Sequence, residues 1–250
     1  MTLMIHFHQS RYRDFKAYYL LHVQVHLKTE FPAQVSYSRL VEWMPAVLIA
    51  LCAYLQSRKG APTGIAFVDA TSIAVCHNRR IHRHQVFKKL ARRGKTSVDW
   101  FYGFKRHLVV NDQGEPLGFS VTPGNGDDRQ VIPTLVKGLT GKLFGDQGYS
   151  SQALFEALLE QRLQLVTRVR NNMKNKLLPL LDKLLLRKRA LIETIYDQLK
   201  NIAQIEHTRH RSVANFMVNL VAGLIAYTHQ PTKPSLNLTQ NQLMLLNNKA

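Results

Sequence analysis

The sequence is poor in cysteine and in acidic residues. Its two cysteines, Cys52 and Cys76, exclude a disulfide framework and a four-cysteine zinc site, and they suit a reducing compartment. Its 16 Asp and Glu residues are outnumbered by 34 Lys and Arg residues, so the formal net charge at pH 7 is +18. This excess predicts a polyanionic partner. Because 45% of the residues are hydrophobic, the chain can still build a core.

Long apolar runs are also missing. The most apolar stretches, Met44 to Gln56 and Phe216 to Tyr227, are shorter than the ~20 residues that span a bilayer, so we expect core helices and no membrane partner. The N-terminus has no apolar run followed by a small-residue cleavage site, as a secretion signal would have. We therefore expect a cytoplasmic, nucleoid-associated protein.

The pattern of apolar residues divides the chain into three parts. Residues 1–60 have helical spacing and predict a small N-terminal helical region, which ends at the Gly- and Pro-rich segment Ser57 to Gly64. Residues 61–230 alternate strand and helix patterns, which predicts an α/β domain with a mixed sheet flanked by helices. Its first two strands are expected at Ile65 to Cys76 and Trp100 to Asn111. Residues 231–250 predict a flexible tail.

Three carboxylates stand out as candidate catalytic residues. Asp69 lies inside an apolar strand, where an unpaired charge is costly. Asp146 lies between two glycines in Phe144-Gly145-Asp146-Gln147-Gly148-Tyr149, just past a short strand. Glu193 shares one stripe of a predicted helix with Arg189, Asp197 and Lys200. Asp69 and Asp146 can lie side by side on neighbouring strands.

Three such acids together favour metal chemistry. Without a metal they would repel one another, whereas two divalent ions ~3.5 to 4 Å apart convert that repulsion into a site for phosphoryl transfer. Mg²⁺ suits oxygen ligands, and a basic protein suits the phosphodiester backbone. Each feature alone also fits a structural role: Asp69 as a turn or capping acid, Asp146 in a tight loop, and Glu193 in a helix ion pair with Arg189.

The motifs resemble a known family. Four motifs occur in a fixed order along the chain. They are Phe67-Val68-Asp69-Ala70-Thr71-Ser72, Trp100-Phe101-Tyr102-Gly103-Phe104-Lys105, Gly145-Asp146-Gln147-Gly148-Tyr149 and Arg189-x3-Glu193-x6-Lys200. They resemble the DDE (Asp, Asp, Glu) transposases of bacterial insertion sequences, in particular the 982-type group within the IS4-like superfamily. The last motif resembles the Tyr-x2-Arg-x3-Glu-x6-Lys signature of that superfamily, and Leu186 occupies the position of its tyrosine.

The resemblance implies an RNase H-like catalytic domain in which Asp69, Asp146 and Glu193 hold two Mg²⁺ ions, with Mn²⁺ as a substitute. It implies a DNA transposase that cuts at the ends of its element and joins them to target DNA, with a homodimer as the expected synaptic form. Arg189 and Lys200 would contact DNA near the cleaved phosphate. The resemblance also implies more N-terminal sequence than this chain carries, so we expect an N-terminal truncation.

A basic segment separates the first two predicted strands. Between His77 and Val98 lie eight Lys and Arg residues and no acid: Arg79, Arg80, Arg83, Lys88, Lys89, Arg92, Arg93 and Lys95. Such a block is expected to lie along DNA as an insertion over residues 77–98, with Arg79, Arg80, Arg83 and the strand residue Lys105 as candidate contacts. A solvated basic loop is the alternative.

A zinc site is also allowed by Cys76, His77, His82 and His84, although the arginines around them disfavour a cation.

Two other functions fit the same residues. One is an RNase H-like nuclease that cuts without strand transfer. The other is a catalytically inactive DNA-binding remnant of a transposase.

Overall fold

A computed structural model describes residues 1–168, 178–206 and 210–236. The described chain forms two compact units. Unit 1 comprises Met1–Arg58, His84–Phe87 and Asp197–Pro231, and unit 2 comprises Lys59–Arg83, Lys88–Tyr196 and the chain from Thr232. The units are interleaved along the sequence, whereas the predicted domains are contiguous. Residues 237–250 of the predicted flexible tail lie outside the described residues.

The N-terminal part of unit 1 is helical, as predicted. Ser36 begins one of its helices by accepting a hydrogen bond from the Arg39 amide, and Asp14 does the same for the Ala17 amide. The elements are α1 (Thr2–Gln9), α2 (Phe15–Ala17), a π-helical segment (Tyr18–Val23), α3 (Gln24–His26), α4 (Tyr37–Trp43), a 3₁₀ turn (Met44–Val47) and α5 (Leu48–Ser57).

Unit 2 is built on a six-stranded mixed sheet. Its strands are β1 (Ile65–Cys76), β2 (Arg92–Lys95), β3 (Trp100–Asn111), β4 (Pro116–Pro123), β5 (Gly141–Phe144) and β6 (Leu163–Val166). β1 pairs antiparallel with β3 and parallel with β5, and β6 extends the sheet beyond β5. β2 and β4 both pair with β3. The mixed sheet confirms the predicted fold class.

The boundaries of β1 and β3 agree with the prediction because both strands are rich in buried apolar residues. β2 was not predicted. Its sequence Arg-Arg-Gly-Lys has no apolar alternation, and charged residues are typical of edge strands. Gly94 allows the backbone of β2 to lie close to that of Gly124, since a Cβ at Gly94 would lie 2.1 Å from the Gly124 carbonyl oxygen.

α6 (Asp128–Leu135) follows β4, α7 (Gln152–Glu160) follows β5, and α8 (Leu180–Lys188) and α9 (Ala190–Asn201) follow β6. The predicted helix that carries Glu193 begins just after Arg189, which separates α8 from α9. The core beside the sheet contains Val68 of β1, Leu143 of β5, Ile132 of α6 and Leu158 of α7. The pairing of β1 with β5 places the carboxyl end of β5, at Phe144, next to Phe67 of β1, two residues before Asp69.

The two predicted core helices of unit 1 have different outcomes. α10 (Val213–Thr228) begins at Ser212 and is buried continuously from Val218 to Thr228, which confirms the first expectation. The other stretch, Met44 to Gln56, is wrong as a core helix, because α5 buries only Leu51 and Leu55 while Ile49 is 84% exposed. The helical segment Tyr37–Ser57 has 21 residues and mean hydropathy 1.5, so its length and composition would suffice to cross a membrane.

Candidate active site

Asp69 lies in the middle of β1, on the strand shared by β3 and β5. Its side chain is 21% exposed. Burial raises the pKa of this carboxyl to about 6, and the nearby Asp146 and Glu193 charges act in the same direction, while the Arg189 guanidinium and the Ala70 amide oppose the rise. Asp69 is therefore a carboxylate whose charge depends on nearby cations.

Asp146 follows the last residues of β5. Its side chain accepts a hydrogen bond from the Gln147 amide at 2.7 Å and caps the short 3₁₀ turn Gln147–Tyr149. Gly145 lets the Tyr149 ring and the Val68 side chain pack closely against the backbone, because a Cβ there would lie 3.1 Å from the ring and 3.2 Å from Val68. The carboxylate of Asp146 is 55% exposed, so it faces solvent at the carboxyl end of the strand.

Glu193 lies in the first turn of α9, and Arg189 is the residue that separates α9 from α8. The Arg189 guanidinium donates to a Glu193 carboxylate oxygen at 3.0 Å, across the i to i+4 spacing that the sequence predicts. Glu193 is 58% exposed, whereas Arg189 is 19% exposed. Arg189 is thus turned inward, toward the sheet.

All three predicted acids converge on this one guanidinium. Besides its bond to Glu193, Arg189 lies 3.4 Å from an Asp69 carboxylate oxygen and 3.9 Å from an Asp146 carboxylate oxygen. A strand, a loop after a second strand and a helix therefore bring their acids together around a single positive charge. The cation offsets the repulsion that three close carboxylates would otherwise have.

The donor set fits a divalent cation in chemistry. Carboxylate oxygens are hard ligands, and Asp146 and Glu193 are exposed enough to be reached by an ion from solvent. Among the described residues, no three His, Cys, Asp or Glu side chains are already placed around a single point as metal ligands. This also holds for Cys76, His77, His82 and His84. At the acidic site the Arg189 side chain is the cation in contact with the carboxylates.

The sequence from residue 59 to residue 213 matches the model of a family described as the transposase DDE domain. This segment is more than half of the chain and includes the three acids. The chain belongs to the transposase DDE domain family. This confirms the resemblance to DDE transposases of insertion sequences, and the narrower 982-type group stays a prediction.

Three known proteins are similar to this chain in sequence or in structure. A curated protein of Brucella ovis, named as a putative transposase for insertion sequence element IS6501, is 28% identical over 125 residues, which are 48% of this chain and 95% of that protein. A piggyBac transposase synaptic complex with hairpin DNA is similar in structure, with 13% identity, a TM-score of 0.47 and coverage of 81% of this chain and 55% of that one. A simian T-cell lymphotropic virus intasome has a TM-score of 0.31 at 14% identity, with coverage of 76% and 57%. The chain thus spans little more than half the length of the solved chains it matches.

The predicted DNA-contacting residues of this DDE domain have different surroundings. Arg79, Arg80 and Arg83 are exposed, and no ion pair involves them in the described part of the chain. Lys105 is half-buried, and its ammonium donates to Asp128 at 2.9 Å and to the Gly126 carbonyl at 3.0 Å. Lys200 lies in α9 and pairs with Glu206 at 3.4 Å. Their contacts with DNA stay predictions.

Sequence reasoning missed two groups next to this site. Tyr196, three residues after Glu193, donates a hydrogen bond to the main-chain carbonyl of Asp69. Lys142 of β5 forms a buried ion pair with Asp182 of α8 at 2.8 Å. The signal for Tyr196 was its place among the apolar positions of α9, which ordinarily indicates core packing alone. The signal for the ion pair was the acid Asp182 in the first turn of a Leu-rich helix.

Proposed function

We propose that this chain is a metal-dependent DNA transposase that cuts at the ends of an insertion sequence and joins the freed 3′ ends to target DNA. The observation that carries the proposal is the convergence of Asp69, Asp146 and Glu193 on the Arg189 guanidinium. Membership of the transposase DDE domain family supports the same conclusion. The proposed reaction needs no covalent bond between protein and DNA. Water attacks the phosphodiester and its P–O3′ bond breaks, which frees the 3′-OH. This 3′-OH then attacks a target phosphodiester, whose own P–O3′ bond breaks and leaves a 3′-OH on the target strand.

In this proposal Asp69, Asp146 and Glu193 would together hold two Mg²⁺ ions, or Mn²⁺ as a substitute. When bound, the ions would polarise the phosphate and lower the pKa of the attacking water. Arg189 lies between the three acids, where a cation would bind, and it would contact the substrate phosphate, as the resemblance implies. Lys200 neutralises charge on the same DNA strand, as the resemblance implies.

DNA is the proposed partner. The eight Lys and Arg residues between His77 and Val98 are all exposed, and they lie on the 3₁₀ segment Asn78–Arg83, on β2 and on the residues just before it. An exposed basic segment that contains no acid would attract phosphates and release counterions on binding. Two element ends brought together would suit a homodimer.

A labelled element end, incubated with the protein and either Mg²⁺ or EDTA, tests the proposal. Joined product in Mg²⁺ is the expected result. Cleavage without joining would indicate the RNase H-like nuclease instead. Binding that does not depend on metal, without cleavage, would indicate the inactive remnant.

The role of Arg189 can be tested without DNA. In Arg189→Gln the competing cation is gone, so Mn²⁺ should bind roughly three- to tenfold more tightly, a change of about 0.7–1.4 kcal/mol. The variant should also melt at a lower temperature than the wild type in EDTA, because three acids would then repel one another. Titration calorimetry with Mn²⁺ and thermal melting measure the two effects.

Arg39→Gln is the matched control, because Arg39 forms an ordinary exposed i to i+3 pair with Glu42 in unit 1. It should leave Mn²⁺ affinity unchanged. If Arg189→Gln binds Mn²⁺ no better than the wild type, the idea that Arg189 occupies the cation position is wrong.

The basic segment predicts a steep dependence of DNA affinity on salt. Changing Arg79, Arg80 and Arg83 together to Gln should flatten the slope of log affinity against log salt by about 2 to 3, if each side chain contacts one phosphate. Fluorescence anisotropy between low and moderate salt gives the slope. The control changes three exposed lysines outside the segment, Lys28, Lys59 and Lys137, to Gln. Equal effects of the two triple variants would mean that only net charge matters and that residues 77–98 are no specific interface.

A further inference from the structure

Tyr196 ties α9 to β1 at the position of Asp69. Its buried hydroxyl donates a hydrogen bond to the main-chain carbonyl oxygen of Asp69 at 2.6 Å, and the Arg106 carbonyl oxygen lies 3.3 Å away. β1 pairs with β5 only as far as Phe67, two residues before Asp69. The hydroxyl therefore contacts β1 just beyond the point where β5 stops pairing with it.

The ring of Tyr196 also has a defined contact, with the side chain of Arg106. The Arg106 guanidinium lies over the ring at 4.9 Å from its centroid, and Arg106 is 1% exposed. A desolvated cation over an aromatic face is stabilising. The hydroxyl is the donor in this contact, because the main-chain carbonyl oxygens beside it can only accept.

The position of Tyr196 on α9 connects this contact to Glu193. Residues three apart on a helix lie on neighbouring positions of one face, so Tyr196 and Glu193 move together when α9 slides or rotates. The hydroxyl contacts the main chain of Asp69 itself. Its hydrogen bond therefore restrains the distance between the Asp69 and Glu193 carboxylates.

We propose that Tyr196 is a positioning residue that sets the spacing of Asp69 and Glu193 for binding divalent cations. The inference rests on the proposed function, because it assumes that these carboxylates share metal ions. Tyr196 touches neither substrate nor metal. It acts through the backbone of β1 and through the helix that carries Glu193.

Tyr196→Phe removes the hydroxyl and keeps the ring under Arg106. We expect Mn²⁺ affinity, measured by titration calorimetry without DNA, to fall about three- to tenfold. The single-turnover cleavage rate should fall about tenfold at limiting Mn²⁺ and recover in part at high Mn²⁺. Affinity for the DNA end in EDTA should stay within twofold of the wild type.

The matched control is Tyr19→Phe. Tyr19 is also buried, and its hydroxyl also donates to a main-chain carbonyl, that of Val35 at 2.5 Å, but in unit 1. Both variants lose one hydroxyl with one hydrogen bond, so both should lower the melting temperature. Only Tyr196→Phe should change Mn²⁺ affinity.

The outcomes separate this inference from the proposed function. Wild-type protein that binds no Mn²⁺ and cuts no DNA would overturn both. Wild-type protein that binds Mn²⁺, with equal affinity in Tyr196→Phe, would overturn the positioning role alone. Equal losses of Mn²⁺ affinity in Tyr196→Phe and Tyr19→Phe would also overturn it, as would a Tyr196→Phe protein that is unfolded while Tyr19→Phe folds, because the hydroxyl would then serve stability in general.

Discussion

Asp146→Asn should reduce DNA cleavage by about 10³-fold or more, which corresponds to a loss of ~4 kcal/mol in transition-state stabilisation. The amide is the same size as the carboxylate but carries no charge, so it is a much weaker ligand for a divalent cation. DNA binding in EDTA should change less than twofold. The measurement is the single-turnover rate on a labelled element end in Mg²⁺, together with anisotropy for binding.

The local structure indicates that Asp146→Asn removes the charge without disturbing the fold. The Asp146 side chain is exposed, and its capping bond from the Gln147 amide can be accepted equally well by the Asn carbonyl oxygen. The Arg189 contact at 3.9 Å is long, so its loss should hardly affect folding. We therefore expect a folded, DNA-binding protein that does not cut.

Asp127→Asn is the control for this experiment. Asp127 is also an N-cap acid, at the start of α6, and it pairs with Arg129 at 2.6 Å. It lies outside the three-acid site and should leave the cleavage rate near that of the wild type. If Asp146→Asn cut at the parental rate, Asp146 would have no part in the chemistry.

The strands that carry the site were predictable because their composition is decisive. Ile65–Cys76 and Trp100–Asn111 are long, rich in apolar residues and followed by breakers or turn residues, so strand formation there satisfies local preference and burial together. Asp69 was conspicuous as the acid inside the first of them. β2 has no such pattern; it pairs with β3, and its Lys95 ammonium lies over the Trp100 ring of that strand.

The three acids were predictable as candidates, but the way in which Arg189 joins them was not. The i to i+4 spacing indicates the bond to Glu193, and this is local. The contacts of the same guanidinium with Asp69 and Asp146 depend on where the junction between α8 and α9 meets the sheet. The spacing of residues along the sequence does not predict this tertiary contact. Sequence reasoning accordingly assigned Arg189 to DNA, while the structure shows it against the carboxylates.

Contacts between distant segments explain the other misses. Tyr196 and Asp69 are 127 residues apart, and Lys142 and Asp182 are 40 residues apart. In both cases a polar group occupies a position whose neighbours are apolar, and its partner comes from another element. A buried polar group needs such a partner, but the sequence does not say which residue supplies it.

The Lys142 and Asp182 pair supports the second large prediction. Lys142→Met should lower the free energy of unfolding by about 3–5 kcal/mol, because Asp182 would be left as a buried charge without a partner. Asp182 is 1% exposed, and its carboxylate accepts from the Lys142 ammonium at 2.8 Å. The pair fastens α8 to β5, whose carboxyl end leads to Asp146.

Urea unfolding measures this effect within unit 2. The sequence has two tryptophans, and in a Trp43→Phe background the remaining one, Trp100, lies in β3 of that unit. Its fluorescence then reports the unit that contains the pair. The comparison variant is Arg129→Met, which breaks the more exposed pair with Asp127 in the same unit and should shift the midpoint far less.

The double variant Lys142→Met with Asp182→Leu distinguishes a buried charge from a lost contact. Two apolar side chains can fill the space without an unpaired charge, so the double variant should regain most of the stability that Lys142→Met loses. If the double variant is as unstable as the single one, then the packing of the lysine stem, and not its charge, holds α8 on β5. If Lys142→Met alone unfolds at the parental urea concentration, the ion pair contributes nothing to this part of the site.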